Sequence, residues 1–162
     1  MERIVNVLKC KKEQLLVLNP MGTFKGYGGF VGIYPYREVA SDVVPSELGE
    51  IIVTLLAKSG PTGYKLDRID EYRKLEEDEE TRQVRARYFP EGKRRTTRIL
   101  AQRFDKAEVR ETKSRIEVAK LVYDSENRVL ADDKDSIEIL RKPVSNLELG
   151  AAVLKVIAHK TR

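Results

Sequence analysis

Short apolar runs in the first forty residues have the length and composition that are typical of β-strands. Residues 3–10 and 13–19 are rich in Val, Ile and Leu, and the polar pair Lys11 and Lys12 between them indicates a tight hairpin. Residues 29–36 read as a third strand, because Pro35 then removes a backbone donor and ends the run. We therefore predict that the chain begins with sheet.

Two later segments have the spacing of amphipathic helices. Each places five apolar residues at offsets 0, 3, 4, 7 and 8, which lie on one helical face: Leu48, Ile51, Ile52, Leu55 and Leu56, then Leu149, Ala152, Val153, Val156 and Ile157. Ser145 and Glu148 have the spacing of a capping box. These patterns predict helices over 46–59 and 146–159.

Both predicted helices start with the same tripeptide, Glu-Leu-Gly, at 47–49 and at 148–150. Each also follows a predicted strand, as two copies of one strand–helix unit would. Helix starts converge easily on such residues, so the match by itself supports an internal duplication only weakly.

The middle and the last third complete the predicted fold. Residues 67–89 predict two surface helices, interrupted near an acidic run, because only short apolar pairs recur there. From residue 97 the period returns to two, which predicts strands over 97–103, 106–112, 115–123, 128–131 and 136–142. Turn residues at 124–127 and 132–135 indicate an antiparallel meander. The prediction is an α+β fold, a mainly antiparallel β-sheet with packed α-helices, as a single layered domain over 1–162.

Charge is abundant and is separated by sign along the chain. The net charge is +5, with 35% charged residues. Residues 93–103 form a basic block, while 76–80 and 124–138 are acidic. Such separation lets a protein present a surface of one sign to a partner of the other sign.

The residues needed for known catalytic chemistry are scarce. His159 and Cys10 are the single histidine and cysteine, so a metal site built from several such ligands is not expected. A Ser–His–Asp triad would have to use His159, and no serine has the context of a nucleophile elbow. We therefore expect no enzyme activity, no catalytic residues, no small-molecule substrate, no cofactor and no metal.

A glycine-rich stretch over 22–30 invites comparison with phosphate-binding loops. Lys25 precedes its glycine rather than following it, and Val31 stands where a dinucleotide fingerprint needs glycine. Glycines that allow unusual backbone angles in a sheet loop explain the stretch better. No apolar run approaches 18 residues, so we expect no membrane span, and a single cysteine suits a reducing, cytoplasmic location.

Several stretches together resemble a known family. They are Gly22 to Tyr34, Lys58 to Tyr64, Arg87 to Pro90, and the closing helix that begins Glu148-Leu149-Gly150. In this order they are similar to CdiI proteins, the immunity proteins of bacterial contact-dependent growth inhibition, and to the branch associated with RNase A-like toxins. The resemblance extends over nearly the whole chain.

This resemblance implies a cytoplasmic bacterial protein that neutralises a toxin by stoichiometric binding and not by catalysis. The implied partner is the C-terminal toxin domain of a CdiA-type exported protein, and such toxins are often nucleases. An alternative from the residues alone is a small nucleic-acid-binding protein that uses the basic block 93–103. That block lacks interleaved aromatic residues and any known binding motif, which makes nucleic acid the less favoured partner.

For the toxin-facing surface, the sequence suggests the two acidic segments. Nuclease active sites are usually basic, and residues 132–135 fall in a predicted turn whose side chains would point to solvent. The hypothesised interface residues are Glu76, Glu77, Asp78, Glu79, Glu80, Asp132, Asp133 and Asp135.

Overall fold

Strands and helices alternate along residues 1–90 and 96–161, which are the residues that the computed structural model describes. The strands are β1 (Arg3–Cys10), β2 (Leu15–Lys25), β3 (Phe30–Gly32), β4 (Arg37–Ala40), β5 (Gly60–Lys65), β6 (Phe104–Glu111), β7 (Arg115–Asp124), β8 (Val129–Asp132) and β9 (Glu138–Arg141). The α-helices are α1 (Pro45–Lys58), α2 (Ile69–Leu75), α3 (Glu79–Tyr88), α4 (Thr97–Arg103) and α5 (Asn146–Ala158). Short 3₁₀ turns occupy Leu66–Arg68 and Lys134–Ser136.

All of these strands belong to one sheet, in the order β3-β2-β1-β6-β7-β8. Strands β4 and β5 also pair with β2, and β9 also pairs with β7. Among the described strands, each pairing is antiparallel except that of β2 with β5. The predicted α+β fold with a mainly antiparallel sheet is confirmed. No helix in 1–90 or 96–161 is long and apolar enough to cross a membrane.

The two halves of the sheet have the same topology. In the first half, β2 pairs with β4 through Leu15–Leu18 and with β3 through Met21–Thr23. In the second half, β7 pairs with β9 through Arg115–Val118 and with β8 through Leu121–Asp124. Each half ends in a helix, α1 or α5, and the halves meet where β1 pairs with β6. The shared Glu-Leu-Gly therefore marks equivalent helices, and the elements between β5 and α4 connect the halves.

Helices α1 and α5 lie side by side on one face of the sheet. Alternate strand residues point to this helix-covered face, as the pleat requires, and they are almost fully buried: Val5, Val7, Leu16, Leu18, Val109 and Val118. The predicted helix stripes meet them, with Leu55 and Val156 both 1% exposed. The predicted helices 46–59 and 146–159 and their apolar faces are thus confirmed.

The two helices cross where each carries its glycine. A Cβ atom on Gly49 would overlap the carbonyl oxygen of Asn146, and one on Gly150 would overlap the carbonyl oxygen of Pro45. The contact is reciprocal, since the first turn of each helix receives the glycine of the other. Glycine is required at both positions because any side chain would force the backbones apart.

On the opposite face, α4 contacts β6 and β7 of the second half, and α3 covers the first half. There α3 packs Val84 and Tyr88, with Phe89 after it, onto Val17 and a group of aromatic rings from β6 and the β3–β4 connection. The rings of Tyr36 and Phe89 stack with centroids 5.4 Å apart. The predicted pair of helices within 67–89 is confirmed as α2 and α3, separated by residues 76–78.

Three sequence predictions were wrong. Residues 97–103 form helix α4 and not a strand, because the Thr96 hydroxyl caps the helix by accepting from the Ile99 N–H at 3.2 Å. Residues 29–36 do not form one strand, since β3 ends at Gly32 and the tyrosines beyond it enter the aromatic group. Segment 132–135 is not a hairpin turn, because β8 and β9 pair with the same edge of β7 rather than with each other.

The close contact of α1 and α5 at their glycines predicts that replacing Gly49 by alanine destabilises the protein, whereas helix propensity alone predicts the opposite. Gly49→Ala should stabilise an isolated helix by about 1 kcal/mol. In this protein we expect it to lower the free energy of unfolding by at least about 2 kcal/mol, because the added methyl overlaps backbone atoms of α5. Urea unfolding measures the change. Gly28→Ala is the control, since no atom lies within 4 Å of a Cβ there; a more stable Gly49→Ala protein would contradict the crossing.

Candidate protein-binding surfaces

The carboxylates of the acidic run 76–80 form ion pairs or hydrogen bonds with other residues of the protein. Four of its carboxylates form ion pairs, and the fifth accepts from a main-chain N–H: Glu76 with Lys58 at 2.7 Å, Glu77 with Arg85 at 3.0 Å, Asp78 with Arg37 at 2.8 Å, Glu79 with Arg82 at 3.1 Å, and Glu80 with Glu38 N at 3.4 Å. Asp78 also caps α3 by accepting from the Thr81 N–H. Burial opposes its charged form, but the hydrogen bonds from Thr81 and Arg37 outweigh burial and lower the pKa of Asp78.

The acidic residues at 132–135 also serve the fold, contrary to the expectation of a solvent-directed turn. Asp132 accepts two hydrogen bonds from Arg110, at 2.6 and 2.7 Å, and these lower the pKa of the Asp132 carboxyl. Asp133 accepts from the Asp135 N–H at 3.2 Å and from the Thr161 hydroxyl at 3.0 Å. Of the three aspartates, Asp135 is the exposed one.

The two acidic segments lie in different parts of the molecule. Asp78 pairs with Arg37 on β4, which belongs to the first half, whereas Asp132 pairs with Arg110 on β6, in the second half. Strands β1 and β6 separate β2 from β7 in the sheet. The eight acidic residues therefore form two separate surfaces, and their role as a toxin interface stays a prediction.

Only part of the basic block 93–103 lies within the described residues. Lys93, Arg94 and Arg95 lie outside the described residues. Arg98 is exposed on α4, and Arg103 at the end of α4 donates to the Tyr88 carbonyl at 3.0 Å. Part of the block is thus helix, and one of its arginines fastens α4 to the end of α3.

A groove of about 800 Å³ lies between α4 and the strands β7 and β8, and its lining extends to Lys160 and Thr161 after α5. Helix α4 and the end of α3 form one wall with Phe89, Leu100 and Ala101, and strands β7 and β8 form the other with Leu121, Tyr123 and Leu130. Its volume lies in the range of ligand-binding clefts and is large enough for several side chains of a partner. Sequence analysis missed the groove because its lining residues come from separate stretches of chain between Asn6 and Thr161.

The floor of the groove contains two buried amides. Asn6 on β1 and Asn19 on β2 are directly opposite in the sheet, and both line the groove. Asn19 donates to the carbonyl oxygens of Pro20 and Ile33. Asn6 is 8% exposed and donates to the Met21 sulfur at 2.8 Å, but its Oδ1 has no hydrogen-bond partner among residues 1–90 and 96–161. A buried polar atom without a partner is costly, so it marks a place where an incoming donor would be favourable.

The charges along the groove are mainly positive. Its described lining contains four lysines and one aspartate: Lys11, Lys106, Lys120, Lys160 and Asp105. Lys11 donates to the carbonyl of Ala101, and Lys120 donates to the carbonyl of His159 while its Nζ lies 4.0 Å from a carboxylate oxygen of Asp105. Lys106 lies 3.3 Å from Glu108, and Lys160 is exposed.

Two of the most similar solved structures share this architecture. A protein of unknown function, NMB0488 from Neisseria meningitidis, has 13% identity and a TM-score of 0.66, and the match covers 96% of this chain and 93% of that chain. A chain of the CdiA-CT/CdiI toxin and immunity complex from Yersinia pseudotuberculosis has 14% identity and a TM-score of 0.63, covering 98% and 97%. This chain therefore shares its fold with a chain of a toxin–immunity complex. No protein-family model matches the sequence, and no curated protein matches it.

His159 and Cys10 are the side chains most often used in catalysis or metal binding, and here both contact elements of the fold. His159 ends α5, with its Nε2 3.5 Å from a carboxylate oxygen of Asp133 and its carbonyl accepting from Lys120. Cys10 is a buried free thiol in the aromatic group. In 1–90 and 96–161, no three His, Cys, Asp or Glu residues are grouped so that they could hold a metal ion.

The Asp132–Arg110 pair gives a prediction about stability and pH. At pH 7, Asp132→Asn should lower the free energy of unfolding by about 1 kcal/mol, since both side chains are partly exposed. The folded pKa of Asp132 lies below the unfolded value of about 4, so the loss should be full above pH 4 and shrink as pH falls through the folded pKa. Urea unfolding at pH 7 and pH 3 tests this. Asp135→Asn is the matched control, and equal effects of the two substitutions at pH 7 would contradict the assignment.

Proposed function

We propose that this chain is an immunity protein that binds and neutralises the C-terminal toxin domain of a CdiA-type exported protein. The observation that carries the proposal is the likeness of fold, over nearly the full length of both chains, to a chain of a CdiA-CT/CdiI complex. The resemblance of the sequence to CdiI proteins selects the immunity partner of such a complex rather than the toxin.

Neutralisation in this proposal is stoichiometric and takes place in the cytoplasm of the cell that makes the protein. The toxin is a nuclease, and the resemblance to the branch associated with RNase A-like toxins supports that activity. An inhibitor of this kind needs a rigid scaffold and a complementary surface. Two features supply the rigidity: in the first half, buried side chains pack on both faces of the sheet, and α1 and α5 are in close contact.

The acidic surfaces remain one candidate for the toxin contact. Because most of their carboxylates have intramolecular partners, the charge that they offer a basic toxin is reduced, and Glu79 and Asp135 are the exposed members. Rim charges of this kind act mainly on the rate of association.

Nucleic-acid binding is the second candidate function, and the lysine-lined groove with its aromatic rings is the feature that favours it. Grooves that bind single strands combine positive charge with stacking side chains. Binding of RNA by the isolated protein that weakens steeply with salt would support this function over immunity.

A growth assay tests the proposed function. The toxin is the C-terminal domain of a CdiA-type protein, to be sought in the gene next to that of this chain, and it is induced in cells with and without the chain. We expect growth to stop without the chain and to continue with it, because a tight one-to-one complex removes the free toxin. Calorimetry of the purified pair should give a stoichiometry near one. Growth arrest in both strains, or growth arrest caused by this chain alone, would refute the immunity role.

A second prediction separates binding from catalysis. His159→Ala should protect cells as well as the parent does, because a stoichiometric inhibitor uses no general base. Protection should also fall off sharply once the toxin exceeds the chain in molar amount, which quantified expression can measure. Full loss of protection by a folded His159→Ala protein, or protection by a small molar fraction of the chain, would instead indicate an enzyme.

A further inference from the structure

We infer that the groove between α4 and strands β7 and β8 is the docking site for the toxin, and that it receives a toxin segment with a large apolar side chain beside carboxylates. This inference rests on the proposed function and deepens it, because it names the surface and the chemistry of the partner segment. Four features of the groove support it.

The first feature is the difference between the two halves of the sheet. In the first half, the face opposite α1 and α5 is covered by α3, whose Val84 and Tyr88 lie over Val17 of β2. In the second half, the equivalent strand β7 presents Leu121 and Tyr123 to the groove instead. Helix α4 contacts β7 and Leu121 is buried, but Tyr123 at the end of β7 stays partly exposed, and a partner segment would complete its cover.

The second feature is the apolar lining. Leu100 on one wall and Leu130 on the other are half-buried, so each keeps some exposed surface. Burying apolar surface stabilises a complex by roughly 25 cal/mol per Å², and one large side chain placed in such a cleft often dominates an interface. The volume of about 800 Å³ accommodates that side chain together with its neighbours.

The third feature is the charge along the groove, which favours carboxylates on the partner. Lysines outnumber aspartate four to one among the described lining residues, and Lys11 and Lys160 are the exposed ones. A segment with Asp or Glu beside its apolar anchor would neutralise these ammonium groups. The net charge of +5 would attract the same segment at longer range.

The fourth feature is the unpaired oxygen of Asn6 in the groove floor. The amide is more than nine-tenths buried, and one of its two polar ends has no partner within the described residues. The identity of that end as oxygen or nitrogen depends on the assigned amide orientation, but an unpaired end exists either way. A polar group on the partner, such as a main-chain N–H, would complete the pairing.

The main experiment fills the groove. Ala101→Trp places a large ring on the α4 wall, and Gln102→Trp places the same ring on the exposed neighbouring position, outside the groove lining. Binding of the toxin segment named above is measured by calorimetry, with thermal unfolding as the check on folding. We expect Ala101→Trp to weaken binding by about 30-fold or more, a hot-spot effect, and Gln102→Trp to weaken it by less than about threefold.

A second pair of variants guards against misfolding of the first. Tyr123→Ala removes a ring from the β7 wall, and Tyr27→Ala removes an exposed ring that does not line the groove. We expect a loss of binding for Tyr123→Ala only. If both groove variants are folded and bind as tightly as the parent, the groove is not the docking site, although the immunity role stands.

Charge variants test the chemistry of the partner segment. Lys11→Glu with Lys160→Glu reverses exposed charge at the groove, and Lys74→Glu with Lys113→Glu makes the same change in net charge at exposed sites that do not line it. At low salt we expect the first pair to slow association about tenfold relative to the second, and the difference to vanish at high salt. Faster association of the first pair would mean a basic segment and would overturn the assigned chemistry.

Two further arms separate rival surfaces and partners. The double variant Glu79→Gln with Asp135→Asn tests the acidic surfaces. If this variant associates with the toxin more slowly while the groove variants do not, the acidic surfaces and not the groove are the docking site.

A single-stranded RNA of about 12 nucleotides tests the other class of partner. Binding of that RNA, abolished by Ala101→Trp, together with no binding of the toxin segment, would overturn both this inference and the proposed function. Failure of the parent chain to bind the toxin segment would also overturn both.

Discussion

The close crossing of α1 and α5 is the contact on which the rest of the architecture depends. Gly49 and Gly150 each lie against a main-chain carbonyl group of the other helix. The approach is so close that neither position has room for a side chain. Only because the helices approach so closely can both cover the same sheet face, each over the half from which it comes. The apolar stripes then bury the central strands β1 and β6, where the two halves meet. The opposite face is covered by α3 over the first half and by α4 beside β6 and β7, and the groove lies next to α4.

The charged residues are used mostly inside the molecule. A chain with 35% charged residues must balance like charges that lie close in sequence, and here partners distant in sequence do so. Asp78 fastens α3 to β4 through Arg37, and Asp132 joins β8 to β6 through Arg110. Partly buried pairs of this type add little net stability but fix the arrangement of the elements that they join. The groove lining keeps a surplus of positive charge, because it contains four lysines and one aspartate, and Lys11 and Lys160 are exposed.

The likeness to solved structures at 13% and 14% identity shows that the fold persists when most residues differ. A core of alternating Val and Leu residues tolerates exchange among apolar residues, so identity falls quickly even when topology is kept. Function resides in sites placed on the fold and not in the fold itself. The shared architecture therefore shows the fold, while the groove walls come mainly from α4 and β7 of this chain.

The sequence by itself determined the elements whose pattern is local. The stripes of α1 and α5, the capping box at Ser145, the hairpin of β1 with β2 and the α+β class all follow from spacing within one segment. Only the tertiary structure decided the rest. It paired β9 with β7, gave Asp132 a partner 22 residues away, and brought β1, α4 and β8 together around the groove. The physical reason is that periodicity is a local property, which shows only which face of an element is buried. Ion pairs and clefts form between residues that are far apart in sequence, and no local pattern predicts which of them meet.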